Sequence, residues 1–364
     1  MSSHAASLSA LAQTLRARGV VGAGGAGQPL ADKLLARPYR TLIINAAQSE
    51  PLFSKDWAVL AANAPCVFTG ARVLRDALNL SKVFLATRDE FASALPELAA
   101  AARKHPIALA RLPDAYPLGY EKILKREVLG IGIDAPGADE VLVINAETVR
   151  NVAWAAERPV TSKMISLAGL VHEPINIEVP IGTPFADCLA LAGGARQASY
   201  VVLENGALGG RPLAPDAAWV SATTLGYLLL PPGHSAAGGP IDVSLAQRRA
   251  AFFSTTLAGR TQPMSAAIAL FDLATFRRSR PTLRTLKASG VTVDQVRIAP
   301  CGKASAFAPC VAAGERVERG QPIAQPLPGT SGVTQHASIA GVVESVAPDA
   351  IVIRRRANAA NAPY

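Results

Sequence analysis

The residues best suited to do chemistry lie in one short run near the N-terminus, GAGGAGQPLADK, at positions 22–33. Four of its first six residues are glycine: Gly22, Gly24, Gly25 and Gly27. Glycines permit a tight turn whose backbone amides approach an anion closely, and the N-terminus of a following helix adds partial positive charge. Pro29 suits the first turn of such a helix, where an amide hydrogen has no partner. The run therefore predicts a site for a phosphate-bearing cofactor.

Two common phosphate loops do not match this run. P-loop nucleotide triphosphatases carry a lysine directly after the last glycine, whereas Lys33 stands about one turn further along and would reach back as a point charge. The Rossmann fingerprint needs a strand before the first glycine, whereas residues 7–17 have a helical pattern. A mobile N-terminal linker is the structural alternative.

Helical and strand-like patterns alternate over the first part of the chain. Helical patterns occur near 5–18, 29–36, 57–79, 89–104, 119–129 and 147–157, and short apolar runs at 41–45, 82–86, 106–110 and 140–144. This alternation predicts an α/β fold, a mainly parallel, Rossmann-like sheet covered by helices, with cofactors at the C-terminal strand ends. Asn45 and Asn145 fall at two such ends, although both are equally suited to capping the helix that follows.

The rest of the chain predicts three further units. Strand, strand, helix, strand at 164–168, 175–179, 185–192 and 200–203 predicts a β-grasp module. Residues 214–290 suggest a Gly/Pro loop, a strand near 241–244, and helices near 245–258 and 264–287. Short strands over 296–353 predict a barrel-sandwich β-domain, and its turn at 336–341 lacks the lysine of a lipoyl or biotinyl carrier. The expected domains are 1–158, 159–215, 216–292 and 293–364.

Composition excludes several other classes of protein. The 364 residues carry a formal net charge of +9, but the basic residues are spread out and lack interleaved aromatics, which argues against nucleic-acid binding. No stretch approaches the unbroken apolar length of a membrane span, and the N-terminus lacks a secretory signal pattern. Four separated cysteines and five scattered histidines show no metal or cluster spacing, and no GxSxG elbow is present. The simplest expectation is a cytoplasmic protein without a metal site or membrane span.

Four collinear motifs carry a family resemblance: VVGAGGAGQPLADKL, LIINAAQSEP, YPLGYEK and INAETVRNVA. Together they resemble the flavoprotein family of the NADH-binding subunit of respiratory complex I, the C subunit of the Rnf oxidoreductase and the PduS-type cobalamin reductases. LAGLVHEPINIEVPIGTPFADCLALAGG is similar to that family's soluble-ligand-binding β-grasp (SLBB) domain. The segments after residue 296 resemble its barrel-sandwich hybrid domain, whose C-terminal position here favours the PduS-like arrangement.

The resemblance implies a non-covalent FMN across the ends of the sheet, reduced by NAD(P)H. Motif positions imply that the four glycines cradle the FMN, with Lys33 near its phosphate. Asn45, Asn145, Thr148 and Asn151 would supply hydrogen bonds at the strand ends. Tyr116, Gly119 and Glu121 would lie beside the flavin, and Glu50 near the nicotinamide nucleotide.

Three departures from the family are visible in the sequence. The region 245–290, where relatives carry cysteine runs for iron–sulfur clusters, contains no cysteine, so no cluster is expected there. Gln28 replaces an aromatic residue that stacks on adenine in the complex I subunit, and Gln48 replaces a carboxylate.

These features predict an FMN-dependent NAD(P)H oxidoreductase that passes electrons to a redox partner protein or a small acceptor, with peripheral association with a complex. The alternatives are a non-catalytic scaffold of a redox complex and a corrinoid or other small-ligand-binding protein. The sequence identifies neither the acceptor, the pathway, the choice between NADH and NADPH, nor the oligomeric state.

Overall fold

The computed structural model describes residues 3–132, 135–282, 285–286, 292–301 and 306–356. The helices are α1 (Ser3–Ala17), α2 (Leu30–Leu35), α3 (Lys55–Leu78), α4 (Asp89–Ala94), α5 (Pro96–Lys104), α6 (Glu121–Leu129), α7 (Ala146–Trp154), α8 (Phe185–Leu191), α9 (Val243–Leu257) and α10 (Met264–Leu270). The strands of the N-terminal half are β1 (Thr41–Ala46), β2 (Lys82–Arg88), β3 (Ala108–Leu112), β4 (Ala115–Tyr116), β5 (Val141–Asn145), β6 (Ser162–Gly169) and β7 (Ile175–Pro180). The later strands are β8 (Val201–Glu204), β9 (Arg211–Leu213), β10 (Gly226–Leu230), β11 (Gln262–Pro263), β12 (Thr285–Leu286), β13 (Gln295–Ile298), β14 (Phe307–Pro309), β15 (Arg316–Val317), β16 (Pro322–Pro326), β17 (Gln335–His336), β18 (Gly341–Ala347) and β19 (Ala350–Arg355).

A four-stranded parallel sheet in the order β3-β2-β1-β5 forms the centre of the N-terminal domain. Its central strand β1 is apolar because both faces are covered: Leu42 and Ile44 pack among α1, α2, α3 and α7, and Ile43 packs toward α6. The register places Asn45 directly beside Asn145 at the C-terminal edge. The predicted parallel sheet is confirmed, and each asparagine is the residue at or next to the C-terminal end of its strand.

Helix α3 is the longest helix among the described residues and passes a membrane-span test by length and composition, with a mean hydropathy of 1.3. Half of that span is buried inside the protein, and its first residues, Lys55 and Asp56, form a buried ion pair. The helix is kinked where Asn63 leaves helical dihedral angles (φ −137°), shortly before Pro65. Its packing on α7 and β1 is that of a core helix.

The five strands of a β-grasp fold form the next domain, in the order β7-β6-β10-β8-β9, with β12 added at the edge beside β7. Strand β10 lies between β6, to which it is parallel, and β8, to which it is antiparallel. Strand β10 (Gly226–Leu230) lies beyond the expected boundary at 215, within the segment 216–292 expected to be helical. We place the end of the module after Leu230.

Three local predictions from the sequence are wrong. Residues 241–244 form no strand, because Asp242 caps α9 by accepting a hydrogen bond from the Leu245 amide (2.6 Å), and the helix begins at Val243. The helix expected over 264–287 ends at Leu270 and is followed by a short 3₁₀ segment, Ala274–Ser279, while residues 283–284 and 287 lie outside the described part of the chain. The helix expected over 89–104 is divided at Leu95, because Pro96 disfavours helical backbone in the residue before it.

The C-terminal strands form two small sheets, β13-β19-β18-β15 and β14-β16-β17. This unit contacts both preceding domains through backbone groups. The Thr334 amide donates to the Arg16 carbonyl (3.1 Å) at the end of α1, and the Arg297 amide donates to the Gly182 carbonyl (3.0 Å) after β7. The three domains therefore pack directly on one another.

Gly70 allows α3 to approach α7 closely, and this contact yields a test of the fold. A Cβ atom at Gly70 would lie 1.9 Å from the Val149 carbonyl oxygen. We expect Gly70→Ala to lower the free energy of unfolding by about 2–3 kcal/mol through overpacking, as measured by urea denaturation. The matched control is Ala61→Ser at an exposed position of the same helix, and equal effects of the two changes would contradict the packing described.

Candidate functional site

The floor of the site is the C-terminal edge of β1 and β5. Asn145 caps α7 by accepting a hydrogen bond from the Glu147 amide (3.0 Å), and its Nδ2 donates to Asp56 Oδ1 (3.0 Å). Asn45 Oδ1 accepts from the Ala47 amide (3.1 Å), and its Nδ2 donates to the Gly119 carbonyl (2.9 Å). Both asparagines therefore stabilise the turn or helix start that follows them, and both also line a cavity at this edge.

The glycine loop, residues 22–28, crosses above this floor. The Gly22 amide donates to the Gln28 carbonyl (2.9 Å) and closes the loop at its base. The Ala23 amide donates to Thr148 Oγ1 (2.8 Å), and Lys163 Nζ donates to the Ala23 carbonyl (3.0 Å). One peptide on each side of Ala23 is thus fixed by side chains from α7 and β6.

The following four amides of the loop are unpaired. Within the part of the chain that the structure describes, no hydrogen bond is donated by the backbone amides of Gly24, Gly25, Ala26 and Gly27. Gly25 (φ +104°) and Gly27 (φ +64°) adopt backbone conformations that side chains other than glycine disfavour. Successive unpaired amides in a turn of this kind form an anion-binding concavity.

A buried ion network supports the loop from below. Glu147 Oε2 accepts from Lys163 Nζ (2.6 Å) and Lys55 Nζ (3.2 Å), and Lys55 also contacts Asp56 Oδ1 (2.6 Å). Burial raises the pKa of Glu147, but Lys163, Lys55 and Arg150 outweigh that effect and bring its pKa to about 2. Burial lowers the pKa of Lys163 to about 8, with Glu147 opposing the shift. At neutral pH the network therefore holds its charges in pairs.

A cavity of about 290 Å³, which we call the loop cavity, lies between the glycine loop and the strand ends. Seven residues predicted from the sequence line it: Gly24, Gly25, Asn45, Glu50, Tyr116, Gly119 and Asn145. Gln48, noted from the sequence as a departure from the family, also lines it, and six lining residues were not predicted: Ser49, Asp56, Tyr120, Asn205, Gly209 and Leu225. The last three belong to the β-grasp domain, so that domain forms part of the cavity wall.

Glu50 connects the two domains at this wall. The side chain is 7% exposed, and its carboxylate accepts hydrogen bonds from the Leu208 amide (3.2 Å) and the Gly209 amide (2.8 Å). A Cβ atom at Gly206 would lie 2.2 Å from Glu50 Oε2, so only glycine allows this approach. Burial raises the pKa of Glu50 from its ordinary 4.5 to about 7.

Tyr116 and Gly119 form the opposite wall. Tyr116 is buried and stacks on Phe252 of α9, with ring centroids 5.5 Å apart, and its hydroxyl lies 3.2 Å from that of Tyr120. The Gly119 amide donates to Ser49 Oγ (2.8 Å), and a Cβ atom at Gly119 would lie 2.3 Å from that oxygen. The segment after β4 is therefore pressed against the segment after β1.

Lys33 and Glu121 do not line the loop cavity. Lys33 Nζ contacts Glu121 Oε2 (2.9 Å) and donates to the Val143 carbonyl (2.9 Å), and Glu121 also pairs with Lys125 (2.8 Å). These residues line a second cavity of about 650 Å³, which we call the basic cavity because Lys33, Arg37, Lys122 and Lys125 face Glu121 and Asp139 in it.

The remaining predicted residues, Gly22, Gly27, Thr148 and Asn151, lie outside both linings. Thr148 holds the loop through Ala23, and Gly22 and Gly27 shape it. Asn151 is buried, and its Oδ1 accepts hydrogen bonds from the Arg150 guanidinium at 3.3 Å. No group of histidine, cysteine or acidic side chains suited to a metal ion occurs among the residues that the structure describes.

Comparison with known proteins locates two families in the chain. Residues 15–154 match the family described as the Nuo51 FMN-binding domain, and residues 164–215 match the SLBB domain. The chain combines a Nuo51-type FMN-binding domain with an SLBB domain. The parallel sheet and the β-grasp sheet are the structural cores of these two regions.

Curated relatives and solved structures agree with this assignment. The cobalamin reductase PduS of Citrobacter freundii is 34% identical over 232 residues, covering 61% of this chain and 50% of the relative. The C subunit of the ion-translocating oxidoreductase complex of Pseudomonas aeruginosa is 35% identical over 216 residues, covering 57% and 28%. An air-oxidized NAD+-reducing NiFe hydrogenase has a TM-score of 0.53 and 26% identity, covering 62% of this chain and 47% of that chain. The chain therefore spans half or less of the length of these proteins.

The glycine loop leaves room for a phosphate-bearing group, as the space around Gly24 and Gly25 shows. A Cβ atom at Gly24 would lie 3.7 Å from the Asn145 side chain, and one at Gly25 would lie 3.8 Å from the Leu225 side chain. Any larger side chain at these positions would occupy the loop cavity. The two glycines thus keep open the space between the glycine loop and the strand ends.

The raised pKa of Glu50 gives a pH test of the wall between the FMN-binding and SLBB domains. The pKa of Glu50 is about 7 in the folded protein and ordinarily 4.5, so the folded state holds the proton more tightly than the unfolded state. The contribution of Glu50 to the free energy of unfolding is therefore complete below pH 4.5 and is lost as the pH rises toward 7. Relative to Glu50→Gln, we expect the wild-type free energy of unfolding to fall by about 2 kcal/mol between pH 5 and pH 7. Urea denaturation at both pH values measures the difference, with Glu97→Gln at an exposed position as the control. A Glu50→Gln variant with the wild-type pH dependence would contradict the burial described.

Proposed function

We propose that this chain is an FMN-binding electron-transfer protein that takes a hydride from NAD(P)H and passes electrons to a partner protein or a small acceptor. The observation that carries the proposal is the run of four backbone amides, Gly24 to Gly27, that have no hydrogen-bond acceptor among the described residues, in a loop whose Gly24 and Gly25 line a cavity at the C-terminal edge of a parallel sheet. Ligands of open α/β sheets bind at that edge. When bound, FMN supplies the hydride and single-electron chemistry, and the protein positions and tunes it.

Different residues of the chain would contact different parts of such a cofactor. The loop amides bind the phosphate, and α7, which begins at Ala146 beneath the loop, adds the partial positive charge of its N-terminus. Asn45 and Asn145 present amide groups to the cavity, and Tyr116 provides an aromatic surface that Phe252 supports. Asn205 and Leu225 of the SLBB domain cover the opening from the other side.

The basic cavity is the proposed entry of the nicotinamide nucleotide. Tyr120 lines the loop cavity, and the next residue, Glu121, lines the basic cavity. Four basic side chains face two carboxylates there, which favours a ligand with several phosphate oxygens. Lys33 and Lys125 share the single carboxylate of Glu121, so a phosphate can compete for either lysine.

The relatives and the sequence also bear on the partner protein, the electron route and the location of this chain. Relatives are named as subunits of an ion-translocating complex, which supports a partner protein and peripheral association with a complex for this chain. The absence of cysteine between 245 and 290 supports an electron route that leaves the chain without an iron–sulfur cluster in that region. We propose a cytoplasmic location, since the one helix that passes a span test among the described residues is built into the core.

A non-catalytic scaffold of a redox complex is the second candidate. The observations that favour it are the absence of cysteine between 245 and 290 and the amide of Gln48, which lines the loop cavity where the family resemblance implies a carboxylate. Gln48 is held in place, because its Oε1 accepts from the Asp56 amide (3.1 Å). A scaffold would keep the fold and a site of this shape without reduction by a nucleotide.

Gly24 offers a direct test of FMN binding. The Gly24→Leu side chain would fill the loop cavity without a backbone clash, because the nearest atom to its Cβ is 3.7 Å away. We expect its FMN dissociation constant to rise about 100-fold, equivalent to about 2.8 kcal/mol, in a fluorescence titration. Ala61→Leu, at an exposed position of α3, should bind like wild type. Unchanged affinity in Gly24→Leu would place FMN elsewhere or nowhere on this chain.

Reduction by a nucleotide separates the two candidates. We expect FMN-loaded protein mixed with NADH or NADPH in a stopped-flow instrument to lose the absorbance of oxidised flavin rapidly. Arg37→Gln should raise the nucleotide concentration needed for half-maximal rate, because Arg37 lines the basic cavity, while Arg103→Gln on the exposed side of α5 should not. FMN-loaded protein that neither nucleotide reduces would support the scaffold instead.

A further inference from the structure

A third cavity, of about 310 Å³, lies where β2 ends and the helical segment around α10 begins. Three arginines line it, Arg88, Arg277 and Arg280, together with the carboxylates of Glu90 and Asp114. Its remaining wall is mainly apolar: Pro51, Leu52, Met264 and Ile268. We call it the arginine cavity; it is separate from both the loop cavity and the basic cavity.

Arg88 is the unusual member of this set. It is 1% exposed, and its guanidinium lies over the Trp57 ring with Cζ 4.7 Å from the ring centroid. One terminal nitrogen pairs with Asp114 and the other donates to the Gln48 carbonyl (3.0 Å). Its Nε has no hydrogen-bond partner within the described chain. A buried charged donor left unpaired is rare in native proteins and indicates a missing acceptor.

The charges around Arg88 favour an anion as that acceptor. Arg280 lies over the same Trp57 ring, with Cζ 5.1 Å from the centroid, and pairs with Glu90. Arg277 is exposed and forms no ion pair or hydrogen bond with the described residues. The two carboxylates have half-exposed side chains, and each is already paired with one arginine, Asp114 with Arg88 and Glu90 with Arg280. One positive charge is therefore left over at this cavity.

We propose that the arginine cavity binds a small organic anion, with its carboxylate or phosphate oxygens on the arginines and a short apolar body against Met264 and Ile268. Planar guanidinium groups donate in pairs to the oxygens of such groups, which suits a site built from arginine rather than lysine. Met264 and Ile268 give the carbon part of such an anion an apolar surface to contact. The proposal does not depend on FMN binding.

The arginine cavity lies beside the chain segment that lines the loop cavity. Arg88 holds the backbone of Gln48, whose side chain lines the loop cavity, and Pro51 directly follows Glu50. An anion on Arg88 therefore binds against the other side of the 48–52 segment. A bound small acceptor or effector would sit next to the proposed redox site without entering it.

The test is calorimetric titration of the full chain with butyrate and, separately, inorganic phosphate, at an ionic strength held constant with chloride. Saturable butyrate binding that is tighter than phosphate binding is the expected result, and tighter binding of inorganic phosphate would overturn the assignment of an organic anion. Arg280→Gln and Arg277→Gln should each raise the dissociation constant about tenfold or more, since each removes a charged donor. Arg103→Gln, which removes the same charge at a distant exposed position, should bind like wild type.

Substitution of the buried Arg88 risks unfolding the protein, so the test uses Arg277→Gln instead. Arg277 is exposed, and its loss leaves no buried group without a partner among the described residues. Heat changes that do not saturate, or equal affinities in wild type, Arg277→Gln and Arg280→Gln, would overturn the proposal. Binding that survives both arginine variants but is lost in Gly24→Leu would place the anion at the glycine loop and would also overturn it.

Discussion

The site depends on the two hydrogen bonds that fix the backbone amide and carbonyl of Ala23. The Ala23 amide donates to Thr148 and its carbonyl accepts from Lys163, so the start of the glycine loop is fixed by one side chain from α7 and one from β6. Lys163 is itself fixed by Glu147, which Lys55 and Arg150 also contact. Removing one member of such a buried network leaves an uncompensated charge, so its loss would destabilise the protein. The next four amides, Gly24 to Gly27, donate no hydrogen bond within the described part of the chain.

The SLBB domain contributes side chains and backbone groups to the site. Lys163 belongs to its first strand, and its loop at residues 205–210 receives Glu50 from the FMN-binding domain. Each domain thus supplies a buried charged side chain to the other across their contact. Gly206 and Gly119 are required by close approach in this region, since a Cβ atom at either position would overlap a side-chain oxygen. The loop cavity exists only where the two domains meet.

Sequence patterns predicted what depends on local periodicity and on the order of motifs. The apolar runs of β1 and β5 specify buried parallel strands, and the position of Asn45 and Asn145 at their ends brings the two residues together. Contacts between distant segments were not predictable: Glu50 with Gly209, Lys163 with Ala23, and the ion pair that draws Lys33 and Glu121 into a separate cavity. The strand expected near 241–244 failed because the Asp242 cap outweighs the β propensity of its neighbours. Nothing in the local pattern marked Arg88 as buried.

The most direct measurement of the central claim compares the affinities of FMN and riboflavin, which differ only in the phosphate. If the unpaired amides of residues 24–27 bind that phosphate, FMN should bind about 100-fold more tightly than riboflavin, equivalent to about 2.8 kcal/mol, in titrations by fluorescence quenching at one salt concentration. Equal dissociation constants for the two compounds would contradict the account, because the glycine loop would then make no contribution that requires a phosphate.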